Sequence, residues 1–411
     1  MSRSRNPFIV RREIRYREPF CNRDHEIQVF LESAVSDEAI CLMSPRRYGK
    51  SSLINQVFGK LAERDWITVR LDMMVIRTLP ALIEAIDQKC LDASTKWKRF
   101  KSQARQAASR IRPQFGVDAN DSTPTMTFNL SPKAKEDGMI TSALKTIATL
   151  PEKINRPVCF AIDEFQEVAN LDKTNRLIGI IRAVFQKRSR GFLPIYLGSR
   201  RHMLEAMFED ESAPFYRSAR ILELKELEAF AFADFMVQQF RQTTGRKLPE
   251  GIGAATAIIF GGHPHAMNVV ASRLWTFCEL AEDLTEKRII DAWKNIIQEL
   301  IVEERSYYQE SNRKISRSTM DVLANIACQG VVAEPFSREF ARLCQTTPSR
   351  IQSALQSLLK EDKLILLSAG YVVLDPLEAL CLKTEKVDSK TIGIELDRLL
   401  ARSVRKRLKY T

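Results

Sequence analysis

"MSPRRYGKSSLI", residues 43 to 54, decides how this chain is read. It closes on Gly49-Lys50-Ser51, the end of the phosphate-loop pattern G-x-x-x-x-G-K-[ST], but Ser44 stands where that pattern opens with glycine. The apolar run "AICLM" (39–43) precedes it, and "SLINQVFGKL", apolar at helical spacing, follows. Strand, loop and helix in that order suit an anion, because successive backbone N–H groups and a helix N-terminus can converge on it. The candidate phosphate-binding residues are therefore Ser44, Pro45, Arg46, Arg47, Tyr48, Gly49, Lys50, Ser51 and Ser52. Gly49 lets the backbone approach the phosphates, Lys50 reaches them as a point charge, and Ser51 offers its hydroxyl to Mg2+. If the position of Ser44 requires positive φ, a serine there costs roughly 1–2 kcal/mol.

Three further stretches give the loop its company. "VCFAIDEFQEV" (158–168) is an apolar strand ending in Asp163 and Glu164, the pattern of a Walker B strand. Asp163 is expected to hold Mg2+ through water, and Glu164 to orient and polarise an attacking water. "LPIYLGSRRHM" is a strand ending at Ser199, where a polar side chain can sense the γ-phosphate; the same serine can also cap the helix that follows, and both can hold together. "APFYRSARILEL" (213–224) places Arg217 and Arg220 before a last strand. Either could stabilise transition-state charge at a neighbouring subunit's nucleotide, or make a structural ion pair.

Short Val/Ile/Leu-rich runs at 39–43, 66–74, 158–162, 193–197 and 220–224 alternate with helical patterns. That alternation predicts an α/β layer with a mostly parallel sheet covered on both faces. Residues 95–137 interrupt the rhythm with a basic helix and a polar loop, and read as an insertion. From 225 the strands stop and helical periods take over. From 315 three helices and a two-stranded wing ("LILLS", "YVVLD") describe a winged helix-turn-helix, with Thr347 as an N-cap and Pro348 at the first helical position. The expected organisation is a nucleotide-binding core at 1–224, a helical lid at 225–310, a winged helix at 311–384 and a basic helical tail at 385–411.

The 411 residues carry a formal net charge of +12. The excess is segmental: +4 over residues 1–20, +7 over 95–112 and +6 over 311–411, with the remainder net acidic. Such patterning favours localised anion-binding surfaces. Eight cysteines without a C-x-x-C pair suggest a reducing compartment. No apolar stretch is long enough to span a bilayer, and the N-terminus lacks the apolar run of a secretory signal, so no membrane role and a cytoplasmic location are expected. His263-Pro264-His265 lacks a third ligand nearby, which argues against zinc.

"FCNRDHEIQVFL", "SPRRYGKSSL", "CFAIDEF", "YLGSRRHMLEAMF", "PFYRSARILELKEL" and "GGHPHAMNVV" occur in this order. Together they resemble the prokaryotic (archaeal-type) AAA+/STAND-like P-loop ATPases over roughly residues 19 to 380. The resemblance implies a five-stranded core of order 5-1-4-3-2, a helical lid and a C-terminal winged helix. It implies ATP and Mg2+ as ligands, Asn22, Arg23 and Glu26 beside the adenine, and Gly262-His263-Pro264 as the nucleotide-sensing element of the lid. The family's Tyr-Gly-Arg near the last strand is here "YRSAR", so the finger falls on Arg217, on Arg220, or on neither.

Two functions compete. In one, this is a DNA-associated ATPase, its winged helix turning Arg350, Gln352 and Gln356 toward a groove while the basic segments 95–112 and 398–409 meet phosphates. In the other it is a STAND-like signalling switch with a structural winged helix. A DNA-binding regulator with an inactive nucleotide site is a third reading, disfavoured because Lys50, Asp163 and Glu164 are all present. A homo-oligomer or a protein partner is expected in either of the first two.

Overall fold

The computed structural model describes residues 5–93, 132–172, 174–385 and 389–407. The basic stretch 95–112 and most of the insertion expected at 95–137 lie outside the described residues.

Five parallel strands form the central sheet: β1 (Ile40–Met43), β2 (Ile67–Asp72), β3 (Val158–Asp163), β4 (Phe192–Gly198) and β5 (Arg220–Glu223). Their order is β2-β3-β4-β1-β5, the expected 5-1-4-3-2 arrangement seen from the other edge. β1, β3 and β4 are buried along their whole lengths, which explains their unbroken apolar runs: a strand covered on both faces cannot alternate polar and apolar residues. The predicted second strand, 66–74, ends at Asp72; Asp72 accepts the N–H of Met74 and starts a 3-10 turn instead.

One face of the sheet is covered by α1 (Asp24–Ser36) and α2 (Lys50–Ala62), through Val29, Phe30, Leu53 and Val57. On the other face lie α3 (Leu79–Asp92), α4 (Pro132–Ala148), the short α5 (Leu150–Ile154) and α6 (Val168–Leu171), then α7 (Arg176–Gln186) and α8 (Arg201–Phe208). Phe165, Tyr196, Phe208 and Phe215 pack ring to ring there, with centroids 4.7 to 5.9 Å apart. Such geometry adds to plain burial.

The helical region comprises α9 (Ala229–Thr244), α10 (Ile252–Ile259), α11 (Pro264–Leu280) and α12 (Glu286–Ser311). Its core holds Phe232, Met236, Phe240 and Trp293. Buried indoles need a partner, and Trp293 Nε1 donates to Thr256 Oγ1 at 2.8 Å. α12 has 26 residues, about 39 Å of helix. Its buried stripe begins with Ile289, Trp293, Ile297 and Leu300 and ends in two polar residues on the same face, Glu304 and Tyr308.

The wing region follows: α13 (Arg317–Gln329), α14 (Arg338–Leu343), α15 (Pro348–Lys360) and the antiparallel pair β6 (Leu364–Leu367) and β7 (Gly370–Val373). Ser316 and Ser337 accept N–H groups of Thr319 and Phe340 and so start the first two of these helices. Thr347 does occupy the N-cap of α15 with Pro348 behind it, but its hydroxyl faces Ser349 and caps no backbone N–H. α16 (Pro376–Thr384) returns to α12, and α17 (Ser389–Arg407) buries Ile392 and Leu396 in the core of the helical region. The N-terminal arm also crosses regions: Phe8 is buried against Phe235 and Phe240 of α9, while Ile14 to Tyr16 lie along α2.

Candidate nucleotide-binding site

The site sits at the C-terminal ends of β1, β4 and β3, adjacent in that order. Met43 is in register with Gly198, and Ile162 with Tyr196, so the residues that leave these strands emerge side by side. Open parallel sheets bind ligands at this edge.

Lys50, on the first turn of α2, lies between the two acids of β3: its Nζ is 2.8 Å from Asp163 Oδ1 and 2.6 Å from Glu164 Oε1. Glu164 Oε2 accepts from Ser199 Oγ at 2.7 Å and from Gln166 Nε2 at 2.6 Å. Ser199 is thus turned to the acid rather than to a helix end; Arg200 holds the N-cap position of α8 without a side-chain cap. Both acids are largely buried. Burial pushes each carboxyl up, but Lys50 outweighs it, with help from Arg70 at Asp163 and from Gln166 and Ser199 at Glu164, and both stay below their ordinary values.

Ser44 costs the loop nothing. It does not have positive φ; the left-handed residues are Arg47 (φ 67) and Gly49 (φ 88). The conditional penalty at Ser44 therefore falls away, and the Ser44 N–H donates to Gly198 O at 3.1 Å, pinning the loop to β4. A Cβ at Gly49 would meet nothing within 4 Å, so its φ alone accounts for glycine there. Arg47 takes the strain instead, and is held by an ion pair to Glu304 and by its guanidinium lying 4.2 Å from the Tyr307 ring centroid, both on α12.

The remaining loop residues divide by direction. Pro45 is half-buried and Arg46 exposed. The Tyr48 side chain is buried away from the loop, its hydroxyl 3.3 Å from Glu226 and its ring edge-on to His263. Ser52 Oγ accepts the N–H of Ile14 at 3.0 Å, and Ser51 Oγ accepts from Arg70 at 2.8 Å.

Arg23 is buried and pairs with Glu26 at 2.7 Å, while Asn22 next to it is exposed with φ 44. The Gly262 (φ 75) carbonyl accepts the N–H of Leu227 at 2.9 Å, and a Cβ on Gly262 would lie 2.4 Å from Leu227 O. That close approach seats His263 and Pro264 against the core. His263 Nδ1 accepts the N–H of Ala266, which leaves its Nε2 facing Asp375 Oδ1 at 3.6 Å; burial pushes its pKa down. Arg217 is exposed, its guanidinium 5.0 Å from the Tyr216 ring, and Arg220 lies 3.7 Å from Glu32. Neither reaches Lys50 or the two acids within this chain.

Sequence reasoning missed Arg70, Gln166, Glu13 and Glu304. Arg70 left a signal: a guanidinium in the middle of the strand "ITVRLD" needs a partner. Gln166 stands only two residues from the Glu164 it supports, at a left-handed turn whose side-chain directions the spacing does not give, while Glu13 and Glu304 act on segments far apart in sequence. It also missed His202, whose Nδ1 lies 2.9 Å from Asp362 Oδ2 and ties α8 to the turn after α15.

Comparison with known proteins agrees with this architecture. Residues 306–384 match a family described as "Probable winged helix domain". No curated protein matches. Among solved structures, the Walker-type ATPase PABY2304 of Pyrococcus abyssi is similar at TM-score 0.63 and 18% identity, over 92% of this chain and 99% of that one. The ORC2 protein of Aeropyrum pernix, solved with ADPNP and ADP, is similar at TM-score 0.55 and 13% identity, over 98% and 99%. The fold is that of an AAA+ P-loop core with a C-terminal winged helix.

Proposed function

We propose that this chain binds ATP with Mg2+ at residues 44–52 and hydrolyses it. The observation that carries this is the convergence of Lys50, Asp163, Glu164 and Ser199, from three separate strand ends, into one chain of contacts: Lys50 to both acids, and Ser199 to Glu164. The Walker-type ATPase and the ADPNP- and ADP-bound ORC2 protein of the same fold support a nucleotide as the ligand.

The donor set fits the metal. A serine hydroxyl and a carboxylate are hard oxygen donors, and one nitrogen of Arg70 already bridges Ser51 Oγ and Asp163. Ser51 and Asp163 would hold Mg2+, which neutralises phosphate charge when bound. Lys50 offers its ammonium to the phosphates in place of the two acids. Glu164, held by Gln166 and Ser199, orients and polarises the attacking water. Ser199, bonded to that acid, senses the γ-phosphate. Arg217, exposed beside β5, is placed to serve a neighbouring copy's nucleotide in a homo-oligomer. Asn22 and Arg23 lie on the adenine side, and Gly262-His263-Pro264 reports the state of the site to the lid.

The cycle acts on DNA in this proposal. Arg350, Gln352 and Gln356 are exposed on α15, the helix a winged helix-turn-helix presents to a groove. The core of residues 1–224, the lid of 225–310, the winged helix of 311–384 and the tail of 385–411 would then move as parts of one machine. A second reading, a STAND-like switch, is favoured by Arg47–Glu304 and His202–Asp362, which fasten the C-terminal half to the nucleotide core. ATPase rate with and without duplex DNA separates them: stimulation supports the first, and a rate indifferent to DNA the second. No turnover and no ATP binding would overturn both. Among the described residues no helix is long and apolar enough to cross a membrane.

A further inference from the structure

Arg70 has no task in the scheme above, yet it touches the same two groups as the metal. It lies mid-strand on β2, paired in register with Ala161, and reaches forward along β3. Its Nε donates to Asp163 Oδ2 at 3.1 Å. One terminal nitrogen donates to that same oxygen and to Ser51 Oγ, the latter at 2.8 Å. The other terminal nitrogen pairs with both oxygens of Glu13, at 3.0 and 3.1 Å.

A divalent cation needs the lone pairs of Ser51 and Asp163. The guanidinium points N–H groups at those lone pairs. The two cations also repel each other at this separation. We infer that Arg70 and a divalent cation compete for Ser51 and Asp163, so that Arg70 sets the metal affinity of the site. This rests on the metal-nucleotide reading given above. Glu13 gives the guanidinium somewhere to stay, because its pair uses the nitrogen that neither Ser51 nor Asp163 engages. Glu13 is itself held to α2: Asn55 Nδ2 donates to it at 3.0 Å and to Ile14 O at 3.1 Å. When metal takes Ser51 and Asp163, Arg70 withdraws toward this anchored arm. A purely structural brace would make the opposite prediction, since removing it would loosen the site and weaken metal binding.

The test titrates Mn2+ into the full chain and reads free and bound Mn2+ by electron paramagnetic resonance, with and without a non-hydrolysable ATP analogue. Nucleotide binding in EDTA is followed in parallel. Arg70→Met keeps the apolar stem and removes the charge, and should lower the Mn2+ Kd at least about tenfold. Arg70→Lys keeps the charge but loses the planar fork that engages Ser51, Asp163 and Glu13 at once, and should fall between. An Arg70→Met protein that binds Mn2+ no more tightly than the parent overturns the inference. If that variant does not fold, Arg70→Lys decides, and an unchanged Kd overturns it. Should the parent bind no nucleotide, the ATP reading fails by itself, and the titration with Mn2+ alone still decides the competition.

Discussion

The guanidinium of Arg47, in the candidate phosphate loop, is ion-paired to Glu304, 257 residues further along the chain. One residue of a candidate nucleotide loop is thereby fixed to the long helix that leads into the winged helix. Glu304 is buried, so an unpaired carboxylate there is costly. Arg47→Ala should lose about 1–3 kcal/mol, seen as a lower thermal midpoint, whereas Glu304→Gln, which can still accept a hydrogen bond, should lose less. Equal midpoints for Arg47→Ala and the parent would mean the pair holds nothing.

Lys50→Ala should abolish ATP binding measured by equilibrium titration, because Lys50 is the one loop cation lying between Asp163 and Glu164. Ser44→Gly should bind ATP as the parent does, with a stability change of no more than about 1 kcal/mol. The pair of variants separates the loop's charge from its shape. ATP binding that survives Lys50→Ala would contradict the assignment of this loop.

Glu164→Gln should bind ATP normally and turn it over about a hundredfold more slowly or worse, since an amide cannot polarise the water. Ser199→Ala should show a milder loss, because it removes only one of the bonds that orient Glu164. Steady-state rates at saturating ATP check both.

Asp163 and Glu164 have carboxyls held below their ordinary range by Lys50, despite burial. A depressed folded pKa contributes stability that is present above the unfolded value, about 4, and lost as pH falls through the folded value. The parent should therefore lose stability steeply below about pH 4. A protein with both Asp163→Asn and Glu164→Gln should show a shallower acid limb in thermal melts from pH 3 to 7. Parallel limbs would show that the two acids titrate as they do in the unfolded chain.

If the winged helix contacts duplex DNA, binding should weaken steeply with salt as counterions are released, and Arg350→Ala should reduce affinity at low salt. A gel shift or anisotropy titration at two salt concentrations measures this. No binding at low salt would leave the switch reading in possession.

The chain announced its α/β fold locally. Unbroken apolar strands at 39–43, 158–162 and 193–197, each followed within two residues by a polar candidate site residue, are legible because a strand buried on both faces leaves its composition in the sequence. Pro348 behind Thr347 located a helix start in the same way, since fixed φ is a local property. What could not be read locally was who meets whom. The sequence leaves open whether Ser44 needs positive φ, and only the folded loop shows that the left-handed residues are Arg47 and Gly49. Arg47 to Glu304, Arg70 to Glu13 and His202 to Asp362 join segments 257, 57 and 160 residues apart. Side-chain spacing along one element specifies secondary structure and the face it buries. The pairing of charges across elements depends on how those elements pack, and that is decided by the tertiary structure alone.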